Sequence, residues 1–317
     1  MHRALVCVAV LGIAVAAQGA TRALSWSKGD TFLALKNGDA VVWQYNFVRK
    51  EGKPYLHPLG LLDGTALTEL RPSDHYWHRA FWHSWKSLNG LNYWEEDKKT
   101  GLSAGRTDMT AVQAVPKEDF SATIHLDLRY FPPGKPPILT EKRTVSISAP
   151  DAQGRYWVDW TGTFTAGEGD VEFQRTPIPG QPGGAGHGGY AGLGIRFAAF
   201  CRPWQFFNSE GATDAGRRGI NPLKGKKAKW VGYRGKTPSG ADCTVAVFDH
   251  PDNFRFPNPW ALYDNLSYLG TGFIHDAPYT LPAGKSFTLR YRTVVCPGGA
   301  DQAAVDALWE AYATSPK

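Results

Sequence analysis

The chain has 317 residues, with 35 Lys and Arg against 29 Asp and Glu, for a formal charge of +6. Its basic residues are dispersed apart from residues 224–229 (KGKKAK), which read as a solvated loop, so the charge argues against nucleic acid as a partner. Twelve Trp, 13 Tyr and 16 Phe suit strands and sugar-binding surfaces alike. No phosphate loop, dinucleotide fingerprint, nucleophile elbow or zinc-protease motif calls for a cofactor.

Residues 1–19 read as a signal peptide. His2 and Arg3 precede an apolar run, 4–17, that ends in small residues and is too short to span a bilayer comfortably. The expectation is a periplasmic or secreted protein with no membrane insertion in its mature form. Residues 20–317 then form a single all-β domain, a two-sheet sandwich. Short alternating or aromatic-rich runs at 31–35, 40–47, 122–130, 144–148, 156–164, 194–200, 243–249 and 286–295 predict its strands, separated by Gly, Pro, Asn and Asp clusters. A helix is expected only over 301–313, where Val305, Leu308, Trp309 and Tyr312 fall at helical spacing. Cys201, Cys243 and Cys296 lie beyond the apolar run, and export permits one disulfide among them. The sequence does not choose the pair, and the spacing is not that of a metal site.

The densest chemistry lies between Arg71 and Asp97, RPSDHYWHRAFWHSWKSLNGLNYWEED. Asn89-Gly90 between two aromatic-rich runs predicts a hairpin with a two-residue turn, because both residues tolerate positive φ. Counting outward pairs Leu88 with Leu91, Ser87 with Asn92, Lys86 with Tyr93, Trp85 with Trp94, Ser84 with Glu95 and His83 with Glu96. One face then carries His83, Trp85, Trp94 and Glu96, and the other Trp82, Ser84, Lys86, Tyr93 and Glu95. A histidine near neutral pH beside a carboxylate of raised pKa is a common acid/base pair. The expected catalytic groups are therefore His78 and His83 with Glu95 and Glu96. Arg71, Arg79 and Lys86 are read as binding substrate oxygens, with Tyr93 beside them and Trp77, Trp85 and Trp94 as stacking surfaces. A His–Glu bond that merely ties the hairpin is the structural alternative. His75, His78 and His83 also permit a metal site, although their spacing fits no standard signature and no metal ligand is assigned. On a strand, His75 and His78 would point to opposite faces, converging only through a bend.

Two irregular segments interrupt the strands. Residues 177–192 (PIPGQPGGAGHGGYAG) follow Arg175 and carry His187 and Tyr190. Residues 249–265 carry His250, Trp260 and Tyr263, with prolines that preclude a regular central strand. Arg175, His187, Tyr190, His250 and Trp260 join His75 as expected substrate-binding residues.

Residues 53–64 (KPYLHPLGLLDG), 74–82 (DHYWHRAFW), 92–95 (NYWE), 188–196 (GGYAGLGIR) and 249–260 resemble, in that order, the PmoA-like family, a domain of unknown function in secreted bacterial proteins whose name refers to a methane oxygenase. Asp74, His75, His78 and Arg79 match its D-H-P-H-H-R-G pattern, whereas Trp77 replaces a histidine and Ala80 a glycine. The whole pattern is also similar to the galactose-mutarotase-like supersandwich. That resemblance implies a carbohydrate-active protein using a His and a carboxylate in an aromatic-lined cleft, for mutarotation, elimination or glycosidic cleavage. Its partner would be a sugar or oligosaccharide. A non-catalytic glycan-binding module and a metal-dependent oxidase or oxygenase are the alternatives.

Overall fold

Side chains that alternate between a core and its outside build most of this protein. Along Ala122–Phe131, Ala122, Ile124, Leu126, Leu128 and Tyr130 turn inward while the residues between them are more exposed. The structure, a computed structural model, describes residues 23–214 and 221–315. The expected signal peptide lies outside the described residues.

The first sheet has eight antiparallel strands, in spatial order Leu24–Gly29, Phe32–Asn37, Ala40–Asn46, Tyr55–Leu59, Phe81–Ser84, Gly192–Arg196, Tyr268–Thr271 and Trp260–Tyr263. The second also has eight: Gln205–Asn208, Trp230–Lys236, Asp242–Asp249, Ser286–Pro297, Tyr156–Ala166, Leu139–Ile147, Ala122–Phe131 and Arg106–Pro116. A small sheet of Tyr279–Leu281, Val171–Gln174, Ser87–Leu88 and Leu91–Asn92 adds to these. Residues of both large sheets share one core, in which Leu33, Trp43, Leu56, Phe81 and Ile195 meet Ile124, Val145, Val158, Trp160 and Val247. The protein is thus an all-β sandwich, as the alternating runs predict.

The one α-helix among the described residues, Gln302–Ala313, is capped by the Asp301 side chain, which accepts a hydrogen bond from the Ala304 amide. Val305 and Tyr312 pack with Phe207, Trp230, Phe248 and Val294, so the helix covers the outer face of the second sheet. Trp309 Nε1 donates to Asp249 O at 3.0 Å, and Trp230 Nε1 donates to Asp306 Oδ1 at 2.8 Å.

Two of the expected strand bounds change. The strand expected at 144–148 starts earlier, at Leu139, because Glu141 and Arg143 also face inward and satisfy each other, with Arg143 Nε 2.5 Å from Glu141 Oε1. The strand expected at 194–200 ends at Arg196, and a short 3₁₀ turn, Ala199–Cys201, follows. Cys201, Cys243 and Cys296 are all buried free thiols. Cys243 faces the core between the sheets and Cys296 the helix, so adjacent strands hold those two sulfurs on opposite faces.

His83 sits inside the sandwich. Its ring stacks on Trp160 at 4.6 Å and meets Trp85 edge-on at 4.8 Å, and neither ring nitrogen has a partner. Burial, and then the nearby Arg143 guanidinium, hold its pKa well below the usual 6.5. A folded protein that keeps His83 neutral loses stability to an unfolded chain that binds the proton. The stability is therefore complete above about pH 6.5 and declines below it, by up to about 1.4 kcal/mol per pH unit for each such histidine. His83→Leu should flatten the fall in unfolding free energy between pH 6 and pH 4.5 by about that amount. Urea titrations across this range measure it, and an unchanged slope would show that His83 already carries a proton in the folded protein.

Candidate functional site

The segment between Leu70 and Phe81 is a tight loop on the outer side of the first sheet. Arg71 and Ala80 hold positive φ, 51° and 60°, and the Arg71 amide donates to His78 O at 2.9 Å. Ala80 therefore occupies a backbone conformation that favours the glycine of the resembling pattern. Inside the loop the His78 amide donates to His75 O at 2.8 Å, and this bend brings the two rings to 4.8 Å. Trp77 stands 5.2 Å from the His75 ring. Asp74 accepts from Arg196 Nη2 at 2.9 and 3.0 Å and lies 3.6 Å from His75 Nδ1. Burial lowers the pKa of His75, more than Asp74 raises it. His78 is pulled down to about 2 by burial, helped by His75, Arg196 and Lys53. Both imidazoles are neutral at pH 7.

The hairpin forms only at its tip. Ser87 pairs with Asn92 and Leu88 with Leu91, and Asn89 and Gly90 hold φ of 48° and 78°, as the Asn-Gly turn predicts. The Tyr93 amide still donates to Lys86 O at 3.2 Å. Beyond that the ladder stops, because Asn92 Oδ1 accepts from the amides of Trp94 at 2.7 Å and Glu95 at 3.1 Å and turns the chain. The expected pairs Trp85–Trp94, Ser84–Glu95 and His83–Glu96 do not form. The strand Phe81–Ser84 pairs instead with Tyr55–Leu59 and Gly192–Arg196.

Glu95 and Glu96 diverge from this turn. Glu96 is buried among three cations: Arg79 Nε at 2.8 Å, Arg71 Nη1 at 3.1 Å and Lys53 Nζ at 3.2 Å. Burial would raise its pKa, but Lys53, Arg79 and Arg71 overcome this and lower it. Glu95 faces the other way. Lys86 Nζ donates to its two oxygens at 2.6 and 2.5 Å, Asn92 Nδ2 to Oε2 at 2.5 Å, and Tyr190 OH to Oε1 at 2.9 Å. These donors outweigh the effect of burial and lower its pKa, so Glu95 is a carboxylate at neutral pH. The raised pKa expected of a catalytic acid is absent at both glutamates, because each is surrounded by cations or hydrogen-bond donors.

Glu95 opens into a cleft of about 640 Å³ on the face of the first sheet opposite the core. Trp77, Trp94, Tyr190, Tyr263 and Tyr268 wall it, with His75, His78, His187, Lys224 and Asn265 as polar neighbours. Trp94 and Tyr190 stand 5.3 Å apart. The loop carrying Gly186, His187 and Tyr190 is tied down where Tyr263 OH donates to His187 O at 2.6 Å and Lys224 Nζ to Gly186 O. Gly189, at φ 89°, lies so close to His275 that an added Cβ would sit 2.2 Å from its ring. Among the described residues no group of three or more His, Cys, Asp or Glu is placed to hold a metal ion.

A sequence model for a family of unknown function (DUF6807) matches residues 33–310. The chain belongs to DUF6807. No curated protein matches it.

The cleft of this DUF6807 protein gathers His75, Trp77, His78, Trp94, Glu95, His187 and Tyr190 from the residues the sequence singles out, with Lys86 behind Glu95. It excludes the others for physical reasons. His83 and Trp85 belong to the core between the sheets, on the opposite side of the strand from Trp82. Tyr93 is buried in the same core against Tyr130. Glu96, Arg71 and Arg79 neutralise one another, and Arg79 also bonds Glu51. Arg175 donates to the carbonyls of His275 and Asp276 and to Gln181, fastening the 177–190 loop. Trp260 is buried, with Nε1 donating to Ala228 O at 3.0 Å. His250 packs on Tyr312 of the helix, on the far sheet.

Sequence reasoning misses Lys224, Asn265, Leu266 and Tyr268. Lys224 belongs to the basic run expected to be a solvated loop, yet burial lowers its pKa to about 8 and its Nζ lies 4.5 Å over the Tyr263 ring. Its only sequence signal is proximity to other lysines, which points the wrong way.

Glu96→Gln should destabilise the fold by about 3 kcal/mol or more, since it leaves Lys53 buried beside a neutral partner and Arg79 with Glu51 as its one remaining carboxylate. Equilibrium urea unfolding measures this, and a loss under 1 kcal/mol would show that the cluster is not a structural anchor.

Proposed function

We propose that the cleft receives a carbohydrate and that Glu95 accepts a proton from it. The observation that carries this reading is an ionised, half-buried carboxylate set in an aromatic-walled cleft. Apolar sugar faces stack on rings such as Trp77 and Trp94, and the hydroxyls need acceptors and donors at the rim. Of the groups that donate to Glu95, Tyr190 alone lines the cleft, so its bond to Oε1 is the one a substrate hydroxyl can replace. His78, held neutral, is suited to polarise a substrate oxygen through a hydrogen bond and poorly suited to donate a full proton.

Among the described lining residues Glu95 is the one carboxylate, whereas glycosidic cleavage ordinarily uses two. Proton transfer at a sugar, of the mutarotation or epimerisation kind, is therefore favoured over hydrolysis. The resemblance to the PmoA-like family and the galactose-mutarotase-like supersandwich supports the same reading. The apolar run at 4–17 supports an exported protein that meets its sugar outside the cytoplasm. One observation favours a second reading, a glycan-binding module without turnover: both oxygens of Glu95 are already engaged by Lys86, Asn92 and Tyr190.

Glu95→Gln separates the two. Saturation-transfer NMR on a panel of reducing sugars reads anomeric exchange and binding together. An enzyme should lose exchange by about 100-fold or more while still binding the sugar, whereas a wild-type protein that binds without accelerating exchange or forming product supports the module. Because Glu95, His75 and His78 all have lowered pKa values, turnover that depends on them should not follow the ordinary imidazole titration near 6.5. Its acid limb should fall below the ordinary carboxylate value of 4.5. A kcat/KM profile with an inflection near 6.5 would return the proton transfer to a histidine.

A further inference from the structure

Lys224 is the charged group of the cleft that the proposed chemistry does not use. Glu95 has Lys86 as its counter-charge, 2.5 Å away, and Asp74 has Arg196. Among the described residues Lys224 makes no ion pair. Its ammonium donates to Gly186 O and lies 4.5 Å over the ring of Tyr263, whose hydroxyl is itself fixed on His187 O. The head group is thus held at the wall of the cleft by one carbonyl and one ring face. An ammonium has three donors, so this arrangement leaves donors unspent. Half-burying a cation without an anion is costly, and an anion arriving on the ligand would offset that cost.

We infer that the cleft selects an acidic sugar, one whose carboxylate or sulfate pairs with Lys224 while the ring rests on the aromatic wall. This rests on the carbohydrate reading above and adds the substrate class to it. The cation and the carboxylate then divide the ligand between them: Lys224 takes the anionic substituent, and Glu95, with its own charge matched by Lys86, is left to the hydroxyls. A neutral ligand would leave Lys224 as it stands, bonded to Gly186 O alone.

The test is a glycan array carrying neutral, uronate-containing and sulfated oligosaccharides, with calorimetry on the best binders. The full chain is compared with Lys224→Met and Lys224→Arg after matched thermal melts. The expected result is binding of uronate or sulfated glycans at least tenfold tighter than their neutral counterparts. Lys224→Met should remove that preference, weakening the binding of acidic glycans at least tenfold more than that of neutral ones, and Lys224→Arg should largely keep it. The uronate and sulfate arms tell the two anions apart. Equal binding of neutral and acidic glycans, or a preference that survives Lys224→Met, overturns the inference and leaves the carbohydrate reading standing. Binding of no glycan at all overturns the carbohydrate reading itself.

Discussion

The carboxylate of Glu96, buried among Lys53, Arg71 and Arg79, is the contact on which the site depends. These cations come from two stretches of chain, Lys53 from one and both arginines from the other. Arg71 and Arg79 stand at the two ends of the loop that bears His75, Trp77 and His78. Lys53 also donates to Trp94 O and Ser103 Oγ, both at 2.8 Å, which fixes the residue before Glu95. A buried cluster of this kind contributes little net stability against a well-packed apolar one, but breaking it is costly. What it supplies here is position: with Glu96 anchored inward, Glu95 is committed to the cleft.

The second constraint is the two-sidedness of a sheet. Trp82 and Ser84 on one face and Phe81 and His83 on the other come from the same four residues, yet one set supports the cleft and the other the core. The helix covers the outer face of the second sheet, and the outer face of the first is left for loops and a cleft. Burial then divides the titratable groups by role. The imidazoles of His75 and His78, with too few acceptors or anions around them to offset burial, are neutral; Glu95, ringed by donors, is ionised.

Much of the sandwich is legible in the sequence. The runs at 40–47, 122–130, 156–164, 243–249 and 286–295 all coincide with strands, and the helical spacing ending at Tyr312 coincides with the helix. The strand beginning at Leu139 is partly hidden, because Glu141 and Arg143 interrupt the apolar alternation and are tolerated only as a pair. The site is half legible. Residue types mark the 71–97 stretch, but counting a hairpin register past Asn92 misplaces Glu95 and Glu96, since one side-chain turn ends the ladder. Lys224 and Tyr268 carry no local mark at all.

By itself, the sequence determined the all-β class, the Asn-Gly turn and the region where chemistry concentrates, because period-two alternation and positive-φ preferences are local properties of a chain. Only the tertiary structure decided which histidine and which glutamate face the cleft, and that Lys224 joins them. Those assignments depend on what stands opposite each side chain: Trp160 against His83, three cations against Glu96, and the Tyr263 ring beneath Lys224. Partners so distant in sequence are chosen by packing, which no short window of sequence contains.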